Sequence, residues 1–148
     1  MIALVQRVAE ARVTVAERVV GSIRRGLLVF VCAEPDDSDA VAERLAAKVL
    51  ALRVFADPAG KMNLDLAAVG GALLVVSQFT LAADTSRGNR PSFVGAAGAE
   101  RGRALYDRVV ASARRLHVGQ VACGEFGADM QVALVNDGPV TIPITLRG

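Results

Sequence analysis

Apolar and polar residues along the chain follow two different periods, which predict strands and helices. Short apolar runs rich in valine, leucine and isoleucine, separated by turn residues, are typical of strands. They predict strands at residues 2–9, 12–16, 19–23, 27–33, 53–56, 72–81, 118–123, 129–135 and 140–146. Two longer segments repeat apolar residues at helical spacing and predict helices at residues 39–53 and 99–116. The residues predicted to face inward are Val41, Leu45, Val49 and Leu52 in the first helix and Leu105, Val109, Ala113 and Leu116 in the second. Strands grouped in blocks around two main helices favour the α+β class, with a largely antiparallel sheet or barrel-like core.

Length and composition add that this is a folded chain with an ample core. The 148 residues are 53% apolar and 22% charged, which predicts a single domain over residues 1–148. The longest uncharged stretch, residues 66–83, is interrupted by glycine and polar residues. A membrane-spanning helix needs roughly 20 mostly apolar residues, so we expect a soluble protein without a membrane partner. The first residues resemble no export signal, and a cytoplasmic location is expected.

The cysteines and the single histidine limit the chemistry that the chain can perform. Cys32 and Cys123 lie in apolar surroundings without a CxxC motif, and we expect both to be reduced and buried. His117 stands alone, so a zinc site built from several histidines is excluded. It follows Arg114-Arg115-Leu116 at the end of the second predicted helix, where a cation complements the helix dipole. No metal site and no cofactor are expected.

Three polar clusters interrupt the apolar segments and are the candidate sites. Ser77-Gln78-Phe79-Thr80 is either the end of a buried strand that opens into a cleft or the outward side of an edge strand. In residues 84–93, Arg87 and Arg90 flank a glycine, as in a phosphate-binding loop or an ordinary solvated loop. Residues 136–141 fit a turn between two strands, although Pro139 cannot donate to a sheet ladder. The residue types alone do not name a reaction.

The order of these clusters resembles a known family. The central signature of the D-aminoacyl-tRNA deacylases is similar to Ser77-Gln78-Phe79-Thr80-Leu81, then Ala83-Asp84 and Gly88-Asn89-Arg90-Pro91-Ser92-Phe93. Their second signature resembles Asn136-Asp137-Gly138-Pro139-Val140-Thr141. Further matches follow in order at Val5-Gln6-Arg7-Val8, Gly60-Lys61-Met62-Asn63, Leu105-Tyr106 and Phe126-Gly127-Ala128-Asp129-Met130. The resemblance covers essentially the whole chain.

The resemblance implies a homodimer that hydrolyses the ester between a D-amino acid and the 3′-terminal adenosine of tRNA. It also implies removal of glycine mischarged onto tRNA(Ala). Gly138-Pro139, taken as cis, would reach into the partner's pocket, with Arg7 fixing its carbonyl groups. A rigid wall there would exclude the side chain of an L-amino acid, which carries the same atoms as its D-enantiomer and differs only in direction.

The family also implies roles for the residues of the first cluster. Ser77, Gln78, Phe79 and Thr80 would form the catalytic segment, with backbone N–H groups around 78–80 as the oxyanion hole. Thr80 is the natural nucleophile, yet no base in the motifs would activate it, which favours help from the 2′-hydroxyl of the substrate. Phe126 and Met130 are candidates for the adenosine pocket or for plain core packing. Arg87 and Arg90 are candidates for contacts with tRNA.

Some positions depart from the family, and two other functions stay open. Ala82 stands where many relatives carry an aromatic residue, and Ser86-Arg87 replaces a more basic pair. Arginines recur every seven residues on the second predicted helix, as a stripe for tRNA or a solvated face: Arg101, Arg108 and Arg115. The alternatives are a non-catalytic RNA-binding module and a Thr-dependent hydrolase of small esters.

Overall fold

A computed structural model describes residues 1–148, with eight strands, two α-helices and one 3₁₀ helix. In chain order they are β1 Ile2–Val15, β2 Arg18–Ile23, β3 Gly26–Cys32, α1 Asp39–Leu50, β4 Phe55–Ala56, β5 Met62–Leu64, β6 Ala72–Ser77, the 3₁₀ helix Phe79–Ala82, α2 Ala99–Leu116, β7 Val121–Cys123 and β8 Gln131–Thr145. Both α-helices are close to their predicted positions, which confirms the α+β class. Neither is long and apolar enough to cross a membrane.

The main sheet combines an antiparallel half with a parallel half. Its strand order is β2-β1-β3-β6-β7, and β8 pairs with β1. β1 is antiparallel to β2, β3 and β8, whereas β6 is parallel to both β3 and β7. The prediction of a largely antiparallel sheet is therefore wrong for the second half. The reason is that α1 lies between β3 and β6 in the chain and α2 between β6 and β7, and such helical crossovers return the chain parallel.

The sheet curves until its first and last strands approach each other. Gly21 of β2 lies so close to β7 that a Cβ atom built on it would be 2.5 Å from the carbonyl oxygen of Cys123. A cluster of seven buried residues, including Val8, Leu28 and Leu74, lies on one face of this nearly closed, barrel-like sheet. The larger core cluster of 23 residues joins the other face to the helices.

The helices pack through the faces that the sequence predicts. Val41, Leu45 and Val49 of α1 are buried. In α2, Leu105, Val109 and Ala113 are buried, whereas Leu116, also predicted to point inward, is 46% exposed because the helix ends there. α1 ends at Leu50 rather than at residue 53.

Several strands differ from the prediction. The predicted strands at residues 2–9 and 12–16 form the one continuous strand β1, β4 covers only Phe55–Ala56, and β5 was not predicted. β6 ends at Ser77 instead of continuing to residue 81. β7 begins at Val121, where its pairing with β6 begins, instead of at Val118, which is 99% exposed. Residues 129–135 and 140–146 are two parts of the single strand β8, since both pair with the continuous strand β1. The prediction of a turn between two separate strands is therefore wrong.

Candidate functional site

The segment Ser77-Gln78-Phe79-Thr80 lies where the parallel strands β3 and β6 end. Ser77 is opposite Val31 in the register, and the Gln78 N–H donates to the Val31 carbonyl at 2.8 Å. β6 lies between β3 and β7, which excludes the edge-strand interpretation of this segment. The backbone then turns into the 3₁₀ helix Phe79–Ala82, whose side chains are at least partly exposed. These polar groups therefore open into a cleft at the carboxyl edge of the sheet.

An apolar cavity of about 490 Å³ occupies this cleft. Its walls come from the ends of β3 and β6, from the start of α2 and from the segment after β7. They comprise Val31, Cys32, Ala33, Ser77, Gln78, Phe79, Phe93, Ala96, Ala97, Gly98, Ala99, Gly102, Tyr106, Phe126 and Gly127. No acidic, basic or histidine side chain is among them. Small-molecule sites of this kind bind flat apolar groups and use a few polar atoms for orientation.

Aromatic rings form two sides of the cavity. The rings of Phe79 and Phe93 meet edge to face with centroids 5.2 Å apart, and those of Tyr106 and Phe126 are tilted at 5.8 Å. The Tyr106 hydroxyl donates to the Val75 carbonyl at 2.9 Å, and burial raises the pKa of Tyr106, which keeps the hydroxyl protonated as a donor. The guanidinium of Arg103 lies 5.7 Å from the Phe126 centroid, within cation–π range. Neither Arg103 nor Phe93 was among the site residues predicted from the sequence.

Thr80 has no base beside its hydroxyl. Thr80 Oγ1 accepts a hydrogen bond from the Gln78 side-chain amide. His117 is buried elsewhere, with Nε2 2.9 Å from the Gly71 carbonyl oxygen. No group of three or more histidine, cysteine, aspartate or glutamate side chains is placed to hold a metal ion. The reactive groups that the cavity offers are main-chain groups, hydroxyls, an amide and the thiol of Cys32.

The backbone N–H groups at the start of the 3₁₀ helix are the available donors. The first N–H groups of a helix have no carbonyl partner inside it, and here they belong to Phe79 and Thr80. The Gln78 N–H, part of the predicted oxyanion hole, is already bonded to Val31. Of the backbone N–H groups predicted to form the oxyanion hole, those of Phe79 and Thr80 therefore remain as candidates.

Cys32 lines the cavity, whereas Cys123 is only partly buried, contrary to the prediction that both are buried. Cys32 Sγ lies 3.4 Å from the Ala33 carbonyl oxygen and 3.5 Å from that of Phe79. Burial is the main cause that raises the pKa of the Cys32 thiol. Neither cysteine forms a disulfide.

We expect thiol labelling to separate the two cysteines. Cys123 should react with iodoacetamide in the folded protein, and Cys32 should react only slowly, because it is buried and its raised pKa leaves less thiolate at neutral pH. Raising the pH from 7 to 9 should increase the labelling rate of Cys32, because a larger fraction of its thiol is then ionised. Mass spectrometry of labelled peptides measures both rates, with urea-unfolded protein as the control. Faster labelling at Cys32 than at Cys123 would contradict this assignment.

Gly138 and Pro139 protrude from the sheet. Val8 pairs with Asn136 and Gln6 with Thr141, so residues 137–140 lie opposite Arg7 alone. These four residues therefore form an exposed or half-exposed bulge in β8, which we call the 137–140 bulge. The Gly138-Pro139 peptide bond is cis. The bulge does not line the cavity of its own chain.

Arg7 supports the 137–140 bulge from β1. Its Nε is 3.2 Å from the Asp137 carbonyl oxygen and 3.3 Å from Asp137 Oδ2, and Nη1 donates to the Val54 carbonyl at 2.6 Å. A Cβ atom built on Gly138 would be 3.0 Å from Arg7 Nη2. The guanidinium thus contacts the residue before Gly138-Pro139, whereas the resemblance assigned it to the carbonyls of the dipeptide itself.

Other candidates lie outside the cavity. The partly buried Met130 packs against the smaller core cluster instead of lining the cavity wall. Arg87 and Arg90 are exposed on a loop closed by an isolated bridge between Asp84 and Ser92. The Ser86 N–H is the main cause that lowers the pKa of Asp84.

Two of the three arginines in the predicted stripe on α2 form hydrogen bonds and ion pairs within the chain. Arg108 Nη2 is 2.7 Å from Asp39 Oδ2, and Arg101 Nη2 donates to the Asp37 carbonyl at 2.8 Å. Both are bound to the region where α1 begins, and of the three only Arg115 forms no such contact. A continuous free stripe for tRNA is therefore not present.

The fold and the site define an α+β protein with an apolar cleft whose lining contains no acidic, basic or histidine side chain. The model of the D-Tyr-tRNA(Tyr) deacylase family matches residues 4–145, and the chain belongs to this family. It is 65% identical over 146 residues to the D-aminoacyl-tRNA deacylase of Methylibium petroleiphilum strain PM1, covering 99% of this chain and 95% of the relative. It is 64% identical to the D-aminoacyl-tRNA deacylase of Azoarcus sp. strain BH72, covering 99% and 96%.

Solved structures share the fold over the full length. A structure titled c-Myc DNA Unwinding Element Binding Protein superposes with a TM-score of 0.94 at 36% identity and covers 100% of both chains. A probable eukaryotic D-amino acid tRNA deacylase superposes with a TM-score of 0.82 and covers 97% of both chains. At 18% identity, the second likeness concerns the fold alone.

Proposed function

We propose that this protein is a D-aminoacyl-tRNA deacylase, a hydrolase of translation quality control that acts in the cytoplasm through one domain over residues 1–148. The observation that carries the proposal is the position of the signature segment 77–80. In a chain of the deacylase family, Ser77, Gln78 and Phe79 of this segment line an apolar cavity at the end of the central strands, and Thr80 follows directly after them. The substrate is the ester between a D-amino acid, or glycine mischarged onto tRNA(Ala), and the tRNA.

The cavity is suited to the 3′-terminal adenosine. Its volume of about 490 Å³ fits within the range of small-molecule sites, and Phe79, Phe93, Tyr106 and Phe126 offer rings for a flat base. Arg103, held over Phe126, brings positive charge to the edge of this region. Arg87 and Arg90 supply further charge on an exposed loop for the phosphates of the tRNA.

Hydrolysis requires that the developing charge on the ester carbonyl oxygen be stabilised. The N–H groups of Phe79 and Thr80 act as the oxyanion hole, where one donor contributes about 2.7–4 kcal/mol. The attacking water is activated with help from the 2′-hydroxyl of the terminal adenosine, since no side-chain base lines the cavity. Water attacks the carbonyl carbon, and collapse of the tetrahedral intermediate releases the free amino acid and the tRNA 3′-hydroxyl.

Chiral selection comes from a second copy of the chain in a homodimer. The 137–140 bulge is exposed and lies outside the cavity of its own chain, opposite Arg7. In the dimer, Gly138-Pro139 enters the partner's cavity, its carbonyls accept hydrogen bonds from the α-ammonium, and its backbone fills the space of an L side chain. Glycine has no side chain to exclude, so it is accepted.

The activity test compares three readouts of the purified protein. We expect catalytic release of tyrosine from D-Tyr-tRNA and no measurable turnover of D-tyrosine methyl ester, which lacks the adenosine. Salt-dependent tRNA binding without release would favour the RNA-binding module. Equal turnover of the methyl ester would favour the small-ester hydrolase.

Thr80→Ala should retain most of the activity. The substitution removes a hydroxyl that accepts from Gln78, and the loss of such a bond costs about 1 kcal/mol, or roughly fivefold in rate. Deacylation of D-Tyr-tRNA under single-turnover conditions measures the effect, and Thr80→Ser is the matched control. A loss of more than a thousandfold in Thr80→Ala alone, with unchanged thermal unfolding, would restore Thr80 as the nucleophile.

A further inference from the structure

Three side chains meet at the base of the 137–140 bulge. Gln6 projects from β1, whereas Asn136 and Thr141 are the residues of β8 on either side of the bulge. Gln6 Nε2 donates to Thr141 Oγ1 at 3.2 Å. The three residues therefore close the loop at the point where the ladder between β1 and β8 is interrupted.

In one of its two orientations, the Asn136 side-chain amide forms hydrogen bonds with all four neighbouring polar groups. With its nitrogen toward the backbone, it donates to the carbonyl oxygens of Arg7 at 3.0 Å and Val140 at 3.1 Å. Its oxygen then accepts from Thr141 Oγ1 at 2.8 Å and from Gln6 Nε2 at 3.2 Å. The amide orientation is assigned from these four partners, all of which are satisfied together. Arg7 and Val140 are among the residues that the interrupted ladder between β1 and β8 leaves without their regular partners.

We propose that Gln6, Asn136 and Thr141 form a clasp that positions the 137–140 bulge and thereby sets the selectivity between D- and L-aminoacyl groups. The inference rests on the proposed function and extends it to residues that need not touch the substrate. A wall excludes an L side chain only if it cannot move away, and the four bonds of Asn136 tie both ends of the bulge together. Arg7 holds one side of the bulge through Asp137, and the clasp holds its base.

Selectivity is the readout that a merely structural role would not move, because general destabilisation lowers both rates equally. Asn136→Ala removes the four bonds, and Thr141→Val removes the hydroxyl while keeping the shape. Both should lower the ratio of kcat/KM for D-Tyr-tRNA over L-Tyr-tRNA by at least tenfold, mainly through faster hydrolysis of the L-ester. Thr141→Ser, which keeps the hydroxyl, should retain the ratio.

The second readout does not depend on activity. Backbone ¹⁵N order parameters of Asp137, Gly138 and Val140 should be near 0.85 in the unaltered protein and in Thr141→Ser. They should fall below about 0.6 in Asn136→Ala and Thr141→Val, which are exposed or half-exposed sites compatible with folding. Rigid amides in both variants, or an unchanged D/L ratio, would overturn the clasp. Absence of deacylation in the unaltered protein would instead overturn the proposed function, and the order parameters would still decide on the clasp.

Discussion

Gly138→Ala should lower kcat/KM for D-Tyr-tRNA by about 10- to 100-fold. A residue with a side chain is strained in the backbone conformation of Gly138, and strain of this kind costs roughly 1–3 kcal/mol. Gly138 has a φ of +125°, which L side chains rarely adopt. Its new Cβ would lie 3.0 Å from Arg7 Nη2 and 3.1 Å from the Val140 nitrogen, so the 137–140 bulge must shift. Steady-state deacylation of D-Tyr-tRNA measures the effect.

Gly60→Ala is the matched control for this substitution. Gly60 also has a positive φ, +79°, but no atom would lie within 4 Å of its Cβ, and it does not line the cavity. It should carry a similar backbone cost without changing the kinetics. Wild-type deacylation by folded Gly138→Ala would contradict the role of the bulge in the site.

Phe79→Pro should lower the rate of deacylation by about 100- to 1000-fold relative to Phe79→Ala, the loss typical of one oxyanion-hole donor. Both substitutions remove the ring, and only proline removes the N–H. Proline is tolerated at the first residue of a helix, which is the position of Phe79. Single-turnover rates with saturating enzyme separate this effect from weaker binding.

Thermal unfolding and circular dichroism of the two Phe79 variants provide the control for folding. Equal rates in Phe79→Pro and Phe79→Ala would show that this N–H does not stabilise the oxyanion. Mixing folded Phe79→Pro with Gly138→Ala offers a further control for both substitutions. In the proposed homodimer, a mixed pair would contain one site with an intact 3₁₀ helix and an intact bulge, so about one quarter of the activity should return.

The local pattern of apolar residues was sufficient to predict an element whose formation depends mainly on its own residues. α2 spans Ala99–Leu116 as predicted, because its apolar residues recur at helical spacing and bury against the sheet. β6 was predicted too long because Phe79 and Leu81 continue the apolar alternation, although the backbone turns after Ser77. Nothing local to β8 indicates that both of its halves pair with the same long strand β1.

Long-range pairing also decides which candidate residues form the site. The position of residues 77–80 at the end of a buried strand was one of the two interpretations that the sequence left open. Phe93 lines the cavity from a loop, and Arg103 of α2 contacts the Phe126 ring in its wall, and only the tertiary fold brings these residues there. In the same way, Arg101 and Arg108 resemble a free stripe in the sequence but bind the region around the start of α1.

The most direct test is deacylation of D-Tyr-tRNA and L-Tyr-tRNA by the same purified protein, with EDTA present and a no-enzyme control. The proposed function predicts rapid release from the D-ester, release from the L-ester at the uncatalysed rate, and hydrolysis of glycyl-tRNA(Ala). Equal release from the D- and L-esters would contradict selection by Gly138-Pro139, and release from neither would contradict the deacylase activity itself.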